Sequence, residues 1–264
     1  MYDFAYHKPA TVADAAKLLA ADGDAKALAG GQTLIPTLKQ RLAKPSAVVD
    51  LSAIKDLSGI AVAGGKVTIG AMTRHRDVAA SAEIKKALPA LAALADGIGD
   101  PQVRNRGTIG GSIANNDPAA DYPAACLALG ATIKTNSREI PADAFFLGMF
   151  ETALKPGEII VSVSFPIPEK AAYVKFGQPA SRYALVGVMV AKAASGARVA
   201  VTGAASAVFR WSDAEAALSK SWGASSLEGV KVSPDGLNSD IHAAADYRAH
   251  LVGVMAKRAV AAAG

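Results

Sequence analysis

Two glycine pairs are the residues of this chain whose spacing first suggests chemistry. The earlier pair lies in the run Ala29-Gly30-Gly31-Gln32-Thr33. Glycine has no Cβ, so a ligand can approach its backbone closely and contact consecutive N–H groups, and the Thr33 hydroxyl adds a further donor. The segment that follows has a helical pattern, which brings the positive end of a helix to the same place. The run therefore suits a phosphate, although a glycine pair before a helix is more often a simple tight turn.

The second glycine pair lies in the run Thr108-Ile109-Gly110-Gly111-Ser112-Ile113-Ala114-Asn115. Here too, hydroxyl and amide side chains flank the glycines, so backbone and side-chain donors are expected to reach the same diphosphate from the opposite side. Two such loops in separate parts of the chain predict a dinucleotide held between them. Neither run has the Gly-x-Gly-x-x-Gly pattern, which disfavours a Rossmann-type nicotinamide site.

The patterning around the two loops predicts an α+β protein. Strands are expected near residues 3–9, 25–28, 47–51, 60–63, 66–69, 131–134, 159–165, 184–193 and 197–204. Helices are expected near residues 13–19, 34–41, 76–81, 84–95, 143–150, 212–218 and 247–262. Residues 97–121 are predicted as a functional loop because they are dense in Gly, Asn, Asp, Pro and Arg. The two prolines in residues 166–170 predict a domain boundary.

Composition excludes several classes of protein. The chain has 264 residues, 51% of them hydrophobic, which is enough to bury a core. No apolar run approaches the roughly 20 residues of a membrane span, and residues 1–20 lack a signal-peptide core, so a cytoplasmic protein is expected. The single cysteine, Cys126, cannot form an internal disulfide or hold an iron–sulfur cluster. The net charge of +5 is dispersed, which disfavours nucleic-acid binding. The four histidines show no metal spacing, and no catalytic triad is expected.

The motifs resemble the medium, FAD-binding subunit of the carbon monoxide dehydrogenase and xanthine dehydrogenase family. The resemblance is carried by Ala29 to Pro36, Ile69 to Thr73, Asp100 to Ser112 and Asp117 to Pro123, and extends to Phe145–Gly148, Lys155–Ile160 and Tyr247–Leu251. It implies a vanillyl-alcohol-oxidase/PCMH-type FAD-binding fold of two α+β lobes plus a C-terminal α+β domain. The implied boundaries are residues 1–53 and 54–168 for the lobes and 169–264 for the C-terminal domain.

The resemblance also implies which residues contact FAD. They are Ala29, Gly30, Gly31, Gln32, Thr33, Thr108, Ile109, Gly110, Gly111, Ser112, Asn115, Asp121, Ile160, Lys175 and Tyr183. Gln32 departs from the histidine that many relatives carry, which affects a side-chain contact and leaves the backbone contacts intact. Lys175 and Tyr183 are implied to lie near the isoalloxazine, where a cation stabilises reduced flavin and an aromatic ring controls access to it. Ordinary packing is the alternative for Tyr183.

Two further assignments stay open at the level of sequence. Asp121 is implied to accept a hydrogen bond from a cofactor hydroxyl or ring N–H, but it is equally placed to cap a helix that begins near Tyr122. Arg104 and Arg106 are placed either to balance the diphosphate charge or to form ion pairs with Asp96 or Asp100.

The function implied by the resemblance is electron transfer within a molybdenum-containing hydroxylase. The chain would relay electrons from a partner 2Fe-2S subunit through FAD to an external acceptor, in a hetero-oligomer with a molybdopterin-binding large subunit. One alternative is a self-sufficient FAD-dependent oxidase of the same fold, which would need its own acid–base residues. Another is a nucleotide-binding scaffold without redox activity.

Overall fold

The N-terminal part of the protein is a small parallel sheet with two helices, in a computed structural model that describes residues 1–264. Its elements are β1 (Ala5–His7), α1 (Val12–Ala21), β2 (Lys26–Leu28), α2 (Leu34–Lys39) and β3 (Ala47–Asp50). β3 lies between β1 and β2 and is parallel to both. The first glycine loop therefore connects a strand to a helix, as predicted.

The central part is an antiparallel five-stranded sheet with a run of short helices inserted into it. Its elements are β4 (Ile60–Ala63), β5 (Lys66–Gly70), α3 (His75–Ala80), α4 (Ala82–Ala87), α5 (Pro89–Asp96), α6 (Pro101–Arg106), α7 (Ile109–Asn115), α8 (Tyr122–Ala128), β6 (Thr132–Thr135), β7 (Glu139–Pro141), β8 (Phe146–Gly148), β9 (Glu151–Thr152) and β10 (Ile160–Pro166). The sheet order is β4-β5-β10-β6-β7, with β8 and β9 pairing separately. All the helices lie between β5 and β6 in the chain, so the second glycine loop belongs to this insertion.

The C-terminal part is a four-stranded antiparallel sheet in the order β11-β12-β13-β14 with two helices. Its elements are β11 (Lys170–Gly177), β12 (Ala184–Ala193), β13 (Gly196–Thr202), β14 (Phe209–Arg210), α9 (Ser212–Lys220) and α10 (Ala245–Ala263). Alternate residues of β12 face opposite sides. Met189 and Ala191 join the core of the central part, whereas Val188 and Val190 pack with residues of α9 and α10. The C-terminal sheet is therefore buried on both faces and shares a core with the central part.

The predicted loop over residues 97–121 is wrong in part, because it contains α6 and α7. Asp100 begins α6, with its Oδ1 accepting a hydrogen bond from the Val103 N–H at 2.8 Å and Pro101 at the first helical position. Thr108 begins α7 and its hydroxyl accepts from the Gly111 N–H. Both are normal helix starts. Because the segment is rich in glycine and arginine, its sequence predicts a loop and not α6 and α7.

Two predicted helices are also wrong. Residues 143–150 form a short turn and the β8–β9 hairpin, in which Phe150 has a positive φ of 56°. The helix predicted over residues 84–95 is two helices, because Leu88 leaves the helical conformation before Pro89, as the residue before a proline tends to do. The strand β11 was not predicted. The domain boundaries stay a prediction, with β10 ending at Pro166 and β11 beginning at Lys170. No helix has both the length and the apolar character that a membrane crossing requires.

Candidate functional site

One large cavity is lined by both glycine loops. Its volume is about 590 Å³, within the range of about 300–1,000 Å³ that is usual for small-molecule sites. Every residue predicted to contact a cofactor lines the cavity except Ile109 and Lys175. The Ile109 side chain is fully buried in the core of the central part. The structure therefore brings together residues that are up to about 150 positions apart in sequence.

The first glycine loop offers unused backbone donors to this cavity. None of the N–H groups of residues 30–33 donates a hydrogen bond within the protein. Gly31 has a positive φ of 73°, which a residue with a Cβ adopts only with strain. Thr33 precedes α2 without capping it through its side chain, so its hydroxyl is also available. Consecutive free N–H groups on a glycine loop form a suitable seat for an anion.

The second glycine loop contributes in a different way. The N–H groups of residues 109–112, at the start of α7, already donate to oxygens of Thr73, Ala71 and Thr108. The prediction that this loop supplies backbone donors to a diphosphate is therefore wrong for these four groups. Its polar contribution comes from the side chains of Ser112 and Asn115, which lie about one helical turn apart and both line the cavity.

The glycines of the two loops allow them to pack against each other. A Cβ on Gly30 would lie 2.7 Å from the Gly107 Cα, and one on Gly111 would lie 3.3 Å from the Ala29 Cβ and 2.9 Å from the Thr108 hydroxyl. Gly110 faces the other way, where a Cβ would lie 2.5 Å from the Ala71 Cβ. Gly30 and Gly111 therefore allow the two loops to approach each other closely, while Gly110 allows α7 to pack on the residue after β5.

A buried carboxylate lines another part of the cavity wall. Asp121 is 4% exposed and stands at the start of α8, but its side chain does not cap that helix. Its Oδ1 instead accepts hydrogen bonds from the Tyr173 hydroxyl at 2.6 Å and from the Lys175 Nζ at 3.0 Å. Burial raises the pKa of the Asp121 carboxyl, and the charge of Lys175 and the bond from Tyr173 oppose that rise. The capping alternative for Asp121 is therefore wrong.

Lys175 reaches the site through Asp121 and does not form part of the cavity wall. Its Nζ also donates to the Gly97 carbonyl at 2.8 Å. Tyr183 does line the cavity and is 49% exposed, so its ring lies at the edge of the cavity and not in the core. The pKa of its phenol is raised by burial and by the nearby charges of Asp117 and Asp121.

The two arginines that precede the second loop do not supply the cations of the cavity. Arg104 donates to the carbonyls of Ile98 and Gly99, both at 3.1 Å, and lies 3.8 Å from Asp96. The ion-pair alternative is therefore confirmed for Arg104. Lys26 and Arg182 line the cavity instead. Sequence reasoning missed both, although each lies within a few residues of a predicted contact.

His75 is a further wall residue that the sequence analysis did not single out. It is 5% exposed and its ring lies 5.4 Å from that of Tyr122. Burial, helped by the charge of Arg104, lowers the pKa of His75 to about 4, so the imidazole is neutral at pH 7. No group of three or more His, Cys, Asp or Glu side chains converges in a way that would hold a metal ion.

Comparison with known proteins decides the family. A family model described as the FAD binding domain in molybdopterin dehydrogenase matches residues 2–168. This chain belongs to that family. It is a flavoprotein of an oxidoreductase family, and FAD is its cofactor.

Relatives of the flavoprotein align along nearly its whole length. The nicotine 6-hydroxylase medium subunit of Paenarthrobacter nicotinovorans is 37% identical, over 98% of this chain and 96% of the relative. The carbon monoxide dehydrogenase medium chain of Hydrogenophaga pseudoflava is 38% identical with the same coverage. A solved structure of carbon monoxide dehydrogenase from Hydrogenophaga pseudoflava superposes with a TM-score of 0.89 at 37% identity, covering 99% of this chain and 97% of that one. Quinoline 2-oxidoreductase from Pseudomonas putida 86 superposes with a TM-score of 0.90 at 31% identity and the same coverage.

The cavity of this flavoprotein fits FAD on its own geometry. Free N–H groups suited to an anion and a buried carboxylate line one cavity, as a cofactor with a diphosphate and several hydrogen-bond donors requires. A Cβ on Gly111 would enter the space between the loops.

Proposed function

We propose that the chain holds FAD in this cavity and relays electrons from a partner 2Fe-2S subunit to an external acceptor. The observation that carries the proposal is the presence of both glycine loops and the buried Asp121 carboxylate in the wall of one cavity. Bound FAD supplies both one-electron and two-electron redox chemistry, which suits a link between a cluster and a two-electron acceptor.

The first loop binds the diphosphate in this proposal. Its support is the set of unused N–H groups at residues 30–33, together with the cations Lys26 and Arg182, which line the same cavity. Charge-assisted hydrogen bonds from such donors to phosphate oxygens are stronger than bonds between neutral groups. Ser112 and Asn115 add neutral donors from the side of α7.

Asp121 accepts a hydrogen bond from a hydroxyl or ring N–H of the cofactor. The hydrogen bonds from Lys175 and Tyr173 favour the charged form of the carboxylate, which strengthens the bond that it accepts. Ile160 provides an apolar part of the wall, and Tyr183 covers the edge of the cavity. Lys175 acts through Asp121, since it does not line the cavity itself.

The proposed partners are a 2Fe-2S subunit and a molybdopterin-binding large subunit, together forming a cytoplasmic hetero-oligomer. Several relatives carry the words medium chain or medium subunit in their names. The one cysteine, Cys126, is buried and cannot supply the roughly four ligands of a cluster. Relatives named for nicotine and for carbon monoxide align equally well with this chain. This supports the view that the substrate is selected on another subunit.

The proposed domain organisation follows the family fold. Residues 1–53 and 54–168 form the two lobes of a PCMH-type FAD-binding fold, and residues 169–264 form the C-terminal α+β domain. Its support is that each segment contains one of the three main sheets.

The site assignment is tested by closing the space between the loops. Gly111→Val should yield a folded chain without FAD, because the added side chain meets Ala29 and Thr108. Gly253→Val is the matched control, since Gly253 also lies in a helix and a Cβ there meets nothing within 4 Å. FAD released on denaturation is measured per chain, with circular dichroism to establish folding.

The expected result is intact FAD at about one per chain from the native protein and from Gly253→Val, with little or none from Gly111→Val. Full flavin occupancy in a folded Gly111→Val chain would contradict the assignment. Release of FMN in place of FAD, or flavin that stays attached to the denatured chain, would contradict noncovalent binding of a dinucleotide.

A further inference from the structure

The loop that carries Asp121 is held in place by the C-terminal sheet. The Thr202 hydroxyl donates to the carbonyls of Pro118 at 2.9 Å and Ala120 at 2.7 Å, and the Gly203 N–H donates to Pro118 at 2.8 Å. These donors lie outside residues 2–168, the part of the chain that the family model matches. The position of a cavity residue therefore depends on a sheet that does not itself contain either glycine loop.

Tyr173 is the residue of that sheet in closest contact with the Asp121 carboxylate. Tyr173 and Lys175 are two positions apart on β11, so both side chains point to the same face. The Tyr173 hydroxyl donates to Asp121 at 2.6 Å, a shorter bond than the 3.0 Å from Lys175. Tyr173 does not line the cavity, so any influence that it has on a ligand must pass through Asp121.

The neighbouring strand leaves room for this phenol. Gly187 on β12 pairs with Lys175 on β11. A Cβ on Gly187 would collide with the Tyr173 hydroxyl and lie 2.9 Å both from the ring carbon that carries it and from the Thr202 Cγ2. The absence of a side chain at Gly187 thus leaves room for the phenol to reach Asp121.

We propose that Tyr173 is a positioning residue of the FAD site, whose hydroxyl holds the Asp121 carboxylate as an oriented, charged acceptor for the cofactor. This inference rests on the proposed function, because it takes the cavity to be the FAD site. It concerns a residue of the C-terminal sheet that neither the sequence motifs nor the cavity wall identifies.

The charged and titratable groups around Asp121 determine what removal of the hydroxyl does. Lys175 faces the carboxylate from β11, Tyr122 follows it on α8, and Asp117 and Tyr183 lie in the same cavity wall. Burial already raises the pKa of the Asp121 carboxyl, and the Tyr173 bond opposes this. Without the bond the pKa of Asp121 rises further, so the carboxylate is lost at a higher pH. FAD affinity should then decline at a higher pH as the solution is acidified.

The experiment compares FAD dissociation constants of the full-length chain between about pH 5 and pH 9. Tyr173→Phe should bind FAD at least about tenfold more weakly at pH 6, and the fall in affinity should begin about one pH unit higher than in the native chain. Tyr6→Phe is the matched control. The Tyr6 hydroxyl donates to the Asp50 carboxylate at 2.5 Å, and neither residue lines the cavity.

A second variant displaces the phenol without deleting it. Gly187→Ala should reproduce the shifted pH profile, because its methyl group pushes the Tyr173 hydroxyl away from Asp121. The effect of Gly187→Ala should be smaller in the Tyr173→Phe background, where no hydroxyl remains to be displaced. If Tyr173→Phe does not fold, the pH profile of Gly187→Ala is the test. If neither variant folds, Tyr173 is required for folding, and the proposal is overturned.

An unchanged pH profile in folded Tyr173→Phe would also overturn the proposal, as would an equal change in Tyr6→Phe. The proposed function is tested separately by Gly111→Val. Loss of FAD in Gly111→Val with an unchanged profile in Tyr173→Phe would retain the FAD site and reject the role of Tyr173. Retention of FAD in Gly111→Val would reject the site itself.

Discussion

Gly31 and Gly111 both line the cavity, and a larger residue is excluded at each for a different physical reason. Gly31 has a positive φ of 73°, so its backbone conformation excludes a residue with a Cβ. Gly111 lies in α7 with ordinary helical geometry, and a larger residue is excluded there because the space between the two loops is narrow. A substitution at Gly31 changes the direction of the free N–H groups, whereas one at Gly111 fills the cavity.

The effect of conformation at Gly31 can be separated from a general loss of stability. Gly31→Ala and Gly64→Ala both place a Cβ at a positive φ, 73° and 57°, which costs roughly 1–2 kcal/mol. A Cβ on Gly64 meets nothing within 4 Å, but one on Gly31 lies 2.9 Å from the Ile35 side chain. Both variants should unfold at lower urea concentration, and only Gly31→Ala should lose FAD affinity. Equal affinity in the two variants would contradict the role given to the first loop.

The sequence predicted the cavity residues better than it predicted their roles. Glycine pairs signal close approach locally, so both loops were identified from the chain alone. The oxygens that occupy the N–H groups of residues 109–112 include those of Ala71 and Thr73, which only the folded chain brings there. The partners of Asp121 lie 52 and 54 positions away on a strand that was not predicted. Local sequence therefore could not show whether Asp121 caps α8 or accepts hydrogen bonds from residues of another strand.

At the scale of elements, the turn before β10 is fixed to the β6–β7 turn by one carboxylate. Glu158 accepts from the Arg138 Nε at 2.7 Å and Nη2 at 2.9 Å, and from the Lys155 N–H at 2.7 Å. The hydrogen bonds from Arg138, and to a smaller extent the one from the Lys155 N–H, hold the pKa of Glu158 well below its ordinary value of 4.5. The next two residues, Ile159 and Ile160, line the cavity, so this ion pair supports one part of its wall.

The Glu158–Arg138 pair should make stability dependent on pH in the acid range. Since the folded pKa is lowered, the stabilisation is present above the unfolded value near 4.5 and is lost as the pH falls below it. Glu158→Gln should cost about 1.5–3 kcal/mol of unfolding free energy at pH 7, and the difference from the native chain should shrink below about pH 4.5. Glu228→Gln, at an exposed residue, is the control. A difference that stays constant down to about pH 3 would contradict this account.

Elements were predictable where local patterns decide them. The strand predicted over residues 184–193 is confirmed as β12, because its buried apolar run is continuous. The helix predicted over residues 143–150 is wrong, because pairing of β8 with β9 decides that segment and its composition does not. The strand β11 carries the Tyr173–Lys175 pair within a mixed sequence of polar and apolar residues, and its identity depends on pairing with β12.

At the scale of the whole molecule, a shared core fixes the C-terminal sheet against the part of the chain that carries the second glycine loop. Met189 and Ala200 of that sheet pack in the same cluster as Ile109 and Ile113 of α7. Thr202 and Gly203 fix the loop before α8. The cavity is lined by strand residues of the first two sheets and by residues 181–183, in the loop between β11 and β12 of the C-terminal sheet.

Anaerobic reduction of the flavin tests the relay most directly. Candidate substrates of the molybdenum subunit are added to the isolated chain and to the complex with its 2Fe-2S and molybdopterin-binding partners, while the visible absorption of FAD is followed. The account predicts no bleaching of the isolated chain and rapid bleaching in the complex, because the electrons must cross from the cluster-bearing subunit. Rapid bleaching of the isolated chain by a small organic substrate would contradict the relay and identify a self-sufficient oxidase.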